Sequence, residues 1–130
     1  MAFLSAPSAE RILSVELTLQ TRGTRKSVTM DSNQTVITVN DARRQTRTTP
    51  ARWRTVTQSL KNVALSRIAT LEAPTDKQAV DAAFAATLRV QTATQTYESE
   101  SFDYPNAPEP LVPLLRAIRA GVPKADQPQF

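Results

Sequence analysis

Cysteine and histidine are both absent from this 130-residue chain, and those two absences exclude a great deal of chemistry. No thiolate nucleophile, Ser-His-Asp triad or zinc finger can be built, and transition-metal sites lose their usual thiolate and imidazole ligands. Any metal would have to bind through oxygen alone. Disulfide staples are excluded too, so the chain must hold together by its core, and cysteine usage carries no information on redox compartment. Glycine is nearly as scarce, with two residues, Gly23 and Gly121. A glycine-shaped calcium loop of the usual spacing is missing. Aromatics make up only 5% of the residues, which leaves few platforms for stacking bases. No apolar run approaches the roughly 20 residues of a membrane-spanning helix, and residues 1–10 lack a basic region followed by an apolar core.

The charge that is present is unevenly placed. Net charge is +4, yet residues 21–54 carry Arg22, Arg25, Lys26, Arg43, Arg44, Arg47, Arg52 and Arg54 against only Asp31 and Asp41. Residues 72–109 invert that balance, with Glu72, Asp76, Asp81, Glu98, Glu100, Asp103 and Glu109 against Lys77 and Arg89. One pole attracts an acidic partner and the other repels it.

A single domain is expected from the length, with residues 1–10 as a loose leader, 11–121 as the folded body and 122–130 as a tail. Residues 12–21 alternate, Leu13, Val15, Leu17 and Leu19 on one face and Ser14, Glu16, Thr18 and Gln20 on the other, which predicts a half-buried strand. Arg22-Gly23-Thr24, Asp31-Ser32-Asn33 and Asn40-Asp41 then supply turns between further strands at 26–30 and 34–39. Residues 43–48 have no large apolar side chain and fit only an edge strand.

Residues 49–63 break this pattern. Thr49 is a plausible N-cap, Pro50 sits where a missing N–H costs nothing, and Trp53, Val56, Leu60 and Val63 recur at helical spacing. The stripe predicts a core Trp53 packed over the small residues Ala83, Ala85 and Ala86. Leu65, Ile68 and Leu71 predict a short helical turn; residues 84–90 and 95–102 predict a hairpin; Leu111, Leu114, Leu115 and Ile118 predict a last helix stopped at Gly121. Pro113 fits that helix if it falls in the first turn. The expected fold is α+β: an antiparallel sheet of five or six strands with two helices on one face, in the order β-β-β-(β)-α-β-β-α.

From Thr49 to Ile118 the chain resembles a group of small, mostly exported bacterial proteins of unassigned function. The shared pattern is a TP-x-x-W helix, an LSxI turn, an APT loop, a hairpin, and an FD segment before the last helix. The ending, FD followed by P-x-x-L-x-x-L, is more distantly similar to the emfourins, small inhibitors of thermolysin-like metalloproteases. The Ser-Gly-Gly-Phe opening strand associated with emfourins is absent, so no inhibitory residue carries over. The resemblance implies a non-enzymatic protein-interaction domain, protease-inhibitor-like or an envelope accessory, exported as a trimmed mature chain. A cytoplasmic location is equally compatible with the composition.

Two candidate sites emerge from the residues themselves. The basic hairpins, Arg22, Arg25, Lys26, Arg43, Arg44 and Arg47, could attract an acidic protein or the phosphates of nucleic acid, without aromatics to read bases. A nucleic-acid-associated or particle-forming, coat-type structural protein is the alternative that such a surface keeps open. Asp76, Lys77, Asp81 and Asp103 form the best polar cluster, able to act as acid and base or to hold calcium if they meet. Their plainer reading is local: Asp103 capping the last helix or its preceding turn, Asp76 and Lys77 capping the segment after Pro74. Trp53 and Tyr97 could form a ligand floor, although a Trp on a helical stripe is ordinarily core. No cofactor, no metal and no catalytic residue is expected.

Overall fold

The architecture follows from one strand. In a computed structural model that describes residues 11–72 and 84–130, β1 (Ile12–Thr21) lies in the middle of the sheet, with β2 (Thr24–Asp31) on one side and β5 (Ala85–Thr92) on the other. β3 (Gln34–Val39) and β4 (Ala42–Arg47) continue the meander outward from β2, and β6 (Thr96–Glu98) and β7 (Phe102–Asp103) both pair with β5. All pairings are antiparallel, in the order β4-β3-β2-β1-β5-β6. With helices α1 (Pro50–Ser59) and α2 (Val112–Ala120), the chain has the α+β fold its sequence implies.

The period of two decides what each strand contributes. Val15, Leu17 and Leu19 of β1, Val28 and Met30 of β2, Ile37 of β3, and Ala86, Leu88 and Val90 of β5 are buried in one cluster with the helical side chains. Leu13, expected among them, is 39% exposed. The register explains why: Ile12 opposes Thr92 and Ser14 opposes Gln91, so Leu13 is an extra residue at a bulge, and Ile12 packs against the core instead.

The turns use the residues that their geometry demands. Gly23 has φ +78 between β1 and β2, and Asn40 has φ +53 between β3 and β4. Asn40 is tied to Arg25 twice, its Oδ1 accepting from the Arg25 amide at 3.0 Å and its own amide donating to the Arg25 carbonyl at 2.7 Å. Asp31 Oδ1 accepts from the amides of Asn33 and Gln34, both at 2.7 Å. Edge strand β4 is charged and apolar-free beyond Ala42, as an edge requires.

Thr49 caps α1, its hydroxyl accepting from the Arg52 amide at 3.2 Å, and Pro50 opens the helix. Val56 and Leu60 are fully buried, but Trp53 is only half-buried and packs at the rim of the core. The room beside Ala86 is filled from within the sheet, by its cross-strand partner Phe102, which is fully buried; Ala85 falls on the opposite face. The Leu65–Thr70 segment is a 3-10 turn that buries Leu65 and Ile68 and packs against β6.

The strand expected over residues 95–102 is divided into β6 and β7 by Ser99. The Ser99 amide donates to the Leu88 carbonyl at 2.8 Å while its Oγ accepts from the Leu88 amide at 2.9 Å, so a side chain replaces the carbonyl a regular ladder would present. Ser99→Ala should strip a buried N–H of its acceptor and cost ~1–3 kcal/mol, with Ser99→Thr retaining most of the stability in denaturant titrations.

α2 starts where Pro113 is harmless, after a short 3-10 turn at Glu109–Leu111, and buries Leu114, Leu115, Ala117 and Ile118. Gly121 ends it at φ −81, an ordinary helical value, so a left-handed cap is not the reason for glycine here. Space is the reason: a Cβ at Gly121 would overlap the Sδ-Cε end of buried Met30. Gly121→Ala should therefore destabilise by ~1–3 kcal/mol through overpacking. Pairing it with Met30→Leu, which removes the offending Cε, should make the double mutant more stable than the sum of the single changes predicts.

Residues 122–130, expected as a tail, are folded onto the body. Val122 and Phe130 are buried, the Lys26 ammonium donates to the Gln129 carbonyl at 2.9 Å, and the Tyr104 hydroxyl donates to the Phe130 carbonyl at 2.5 Å. Two prolines and few apolar residues hide this docking in the sequence, because beside buried Val122 and Phe130 it uses main-chain oxygens as acceptors.

Candidate functional site

Among the described residues the helices pack on one face of the sheet and leave the other open, and the register specifies its occupants. β1 presents Ser14, Glu16, Thr18 and Gln20, as its alternation implies; β2 adds Arg25, Ser27 and Thr29, and β5 adds Thr87, Arg89 and Gln91. β3 and β4 complete it with Gln34, Val36, Thr38, Arg43, Gln45 and Arg47. No aromatic residue stands in these rows. One row, Thr87-Thr18-Ser27-Thr38-Arg43, runs across five strands as hydroxyls ending in a guanidinium.

Charge on this face is divided. Toward β5 and β6 acids outnumber bases: Glu16 accepts from the Thr29 hydroxyl at 2.9 Å and pairs with Arg89 at 3.5 Å, and Arg89 stands opposite Glu98. Toward β4 it is positive. Arg25, Arg43 and Arg47 are exposed, and among the described residues none of the three forms an ion pair. Asp31 is the nearby carboxylate of these rows, and its Oδ1 is committed to the turn amides.

The six basic residues singled out from sequence thus do not form one surface. Arg22 lies in the turn between β1 and β2. Lys26 and Arg44 are on the helix side, because they alternate with Arg25 and Arg43 along their strands. Lys26 sits over the Phe84 ring, 4.8 Å from its centroid, and Arg44 faces Asp126 at 3.6 Å. Both anchor the segment 122–130 to the inner face of the sheet.

Asp76, Lys77 and Asp81 lie outside the described residues. Asp103 is buried in β7, its carbonyl accepting from the Asn106 amide at 2.6 Å and its Oδ2 from the Asn106 side chain at 3.3 Å. These two bonds hold the turn that follows β7. Among the described residues no group of three acidic side chains is placed to hold a metal ion. Trp53 and Tyr97 both pack at the rim of the core, and neither lines any of the clefts beside the segment 122–130.

Sequence reasoning missed those clefts, since they are formed by residues 121–130. One of about 220 Å³ is lined by Arg119, Ala120, Gln127 and Phe130; another of about 280 Å³ lies among Thr46, Arg47, Arg52 and residues 121–124 and 127. Comparison with family models, with curated proteins and with solved structures finds no match.

Tyr104 beside these clefts titrates differently from a free tyrosine. Burial raises its pKa above 10.0, and the nearby Arg119 charge opposes that rise without cancelling it. A raised folded-state value means the neutral phenol is favoured in the fold; its contribution is complete below about pH 10 and is lost as pH climbs through the folded-state value. Denaturant midpoints should therefore fall above pH 10. Tyr104→Phe should be less stable at neutral pH by ~1 kcal/mol, for the lost hydrogen bond, and show a shallower alkaline decline.

Proposed function

We propose that this chain is a non-enzymatic interaction domain that docks an acidic protein surface on the open face of its sheet. The supporting observation is the exposed trio Arg25, Arg43 and Arg47 on a polar face, with no ion pair to any of the three among the described residues, while Glu16 on the same face is paired with Arg89 and Asp31 Oδ1 is bonded to turn amides. Arg25 and Arg43 are two strands apart, a spacing of about 10 Å, which suits several carboxylates of a partner rather than one small ligand. Arginine favours carboxylate partners through paired N–H donors, and threonine and glutamine add uncharged donors and acceptors around it. The resemblance to exported bacterial proteins, and more distantly to protease inhibitors, favours a protein partner. So does the absence of aromatics from the face, which leaves bases nothing to stack on.

The competing nucleic-acid reading is separable by salt and by sequence. ¹⁵N-labelled protein titrated with a polyglutamate peptide should show saturable amide shifts along β2–β4 around Arg25, Thr38 and Arg43, and Arg25→Gln with Arg43→Gln should abolish them without altering the rest of the spectrum. Unrelated single-stranded and duplex oligonucleotides should bind weakly, without preference, and lose affinity steeply toward physiological salt as counterions return to the phosphates. A tight, sequence-selective complex that persists at physiological salt would replace the protein partner with a nucleic acid.

A further inference from the structure

The cleft of about 280 Å³ at the end of β4 adjoins the sheet's open face through Arg47 and has a chemistry of its own. Its walls come from three places: Thr46 and Arg47 at the end of β4, Arg52 in the first turn of α1, and Gly121, Val122, Pro123, Lys124 and Gln127 after α2. Three of these side chains are cations and none is a carboxylate. Asp126, the neighbouring acid, turns toward Arg44 and lines the adjoining clefts with it instead.

The cations are not arranged as a loose surface cluster. Arg52 Nη1 donates to the Ala120 carbonyl, which fixes the guanidinium at the C-terminal end of α2 and offsets the partial negative charge there. Its other N–H groups are left for a ligand, since a guanidinium has five. Gln127 Nε2 donates to the Val122 carbonyl at 3.0 Å, so it holds the wall formed by residues 121–124. Among the described residues Arg47 and Lys124 form no ion pair. Two arginines and a lysine contribute to the walls of a space just under the ~300 Å³ at which small-molecule sites begin.

We infer that this cleft binds a compact, multiply charged oxyanion, a phosphate group or a small polycarboxylate, between Arg47, Arg52 and Lys124. Two planar forks and a point charge match an anion with several oxygens, and monovalent ions such as chloride cannot engage all three. The site does not depend on the sheet face, and two of its three cations, Arg52 and Lys124, take no part in that face.

Calorimetric titration and ¹⁵N spectra with inorganic phosphate, with citrate and with sodium chloride at matched ionic strength test this directly. Phosphate or citrate should bind saturably, with amide shifts centred on Thr46, Arg47 and residues 121–124, while chloride gives only small, non-saturating changes. Preference for phosphate assigns a phosphate-bearing ligand and preference for citrate a polycarboxylate. Lys124→Gln, which removes no contact that the fold uses, should weaken binding about tenfold, the equivalent of one charge-assisted hydrogen bond. Arg52→Gln should weaken it at least as much, whereas Arg25→Gln with Arg43→Gln should leave it unchanged. Indistinguishable responses to phosphate, citrate and chloride, or a Lys124→Gln protein that binds as the wild type does, would overturn the assignment.

Discussion

Everything in this protein depends on β1 being paired along both edges while one of its faces is sealed. Val15, Leu17 and Leu19 meet Met30, Val28 and Lys26 on one side and Val90, Leu88 and Ala86 on the other, so each buried side chain of β1 is flanked within its own row. The β2 pairing is local, closed by a two-residue turn. The β5 pairing joins residues more than sixty positions apart and is not rewarded until the intervening helix has somewhere to sit. Burying α1 and α2 against these rows commits one face of the sheet to the core, and by the period of two it commits every alternate residue to solvent. The open face is a consequence of how the core is made.

That same period explains how much could be read in advance and where reading stopped. The strands, the Thr49 cap, the Pro113 position and the polar set Ser14, Glu16, Thr18 and Gln20 are legible because each depends on near neighbours in sequence. Leu13 misled because a bulge adds one residue to β1 against β5, and a single added residue reverses the alternation at the strand's start. Trp53 has the right spacing for a core residue, but whether the first turn of a helix lies over the sheet or at its margin is set by α2, not by α1. Counting arginines along the chain merged residues that the sheet separates: Arg43 and Arg44 are neighbours in sequence and lie on opposite faces.

Glycine and the C-terminal segment show the limit most plainly. Gly121 follows a helical stripe and so looks like a helix stop, yet its backbone is one that any residue adopts; the need for glycine comes from Met30, ninety-one positions away. Residues 122–130 offer almost no apolar pattern because their docking uses backbone carbonyls as acceptors for Lys26 and Tyr104, and carbonyls are the same in every sequence. A candidate surface that includes Lys26 and Arg44 therefore mistakes structural anchors for free charges.

Removing those two anchors from the basic pole sharpens it. Arg25 and Arg43 remain on the open face, Arg47 stands at its end, and Arg52 approaches from the helix side, so positive charge continues around the end of β4 from the sheet face into the cleft. The two regions differ in what they can hold. Guanidiniums spread over a sheet face in high dielectric each act weakly, which is why an extended partner is proposed there, and those lining a cleft are the reason one compact group is proposed for it. Three carboxylates near these regions are engaged by the fold itself, with Asp31 occupied in a turn, Glu16 between Thr29 and Arg89, and Asp126 facing Arg44. Asp41, in the turn between β3 and β4, stays exposed beside them, and Arg25 and Arg43 face outward from the sheet.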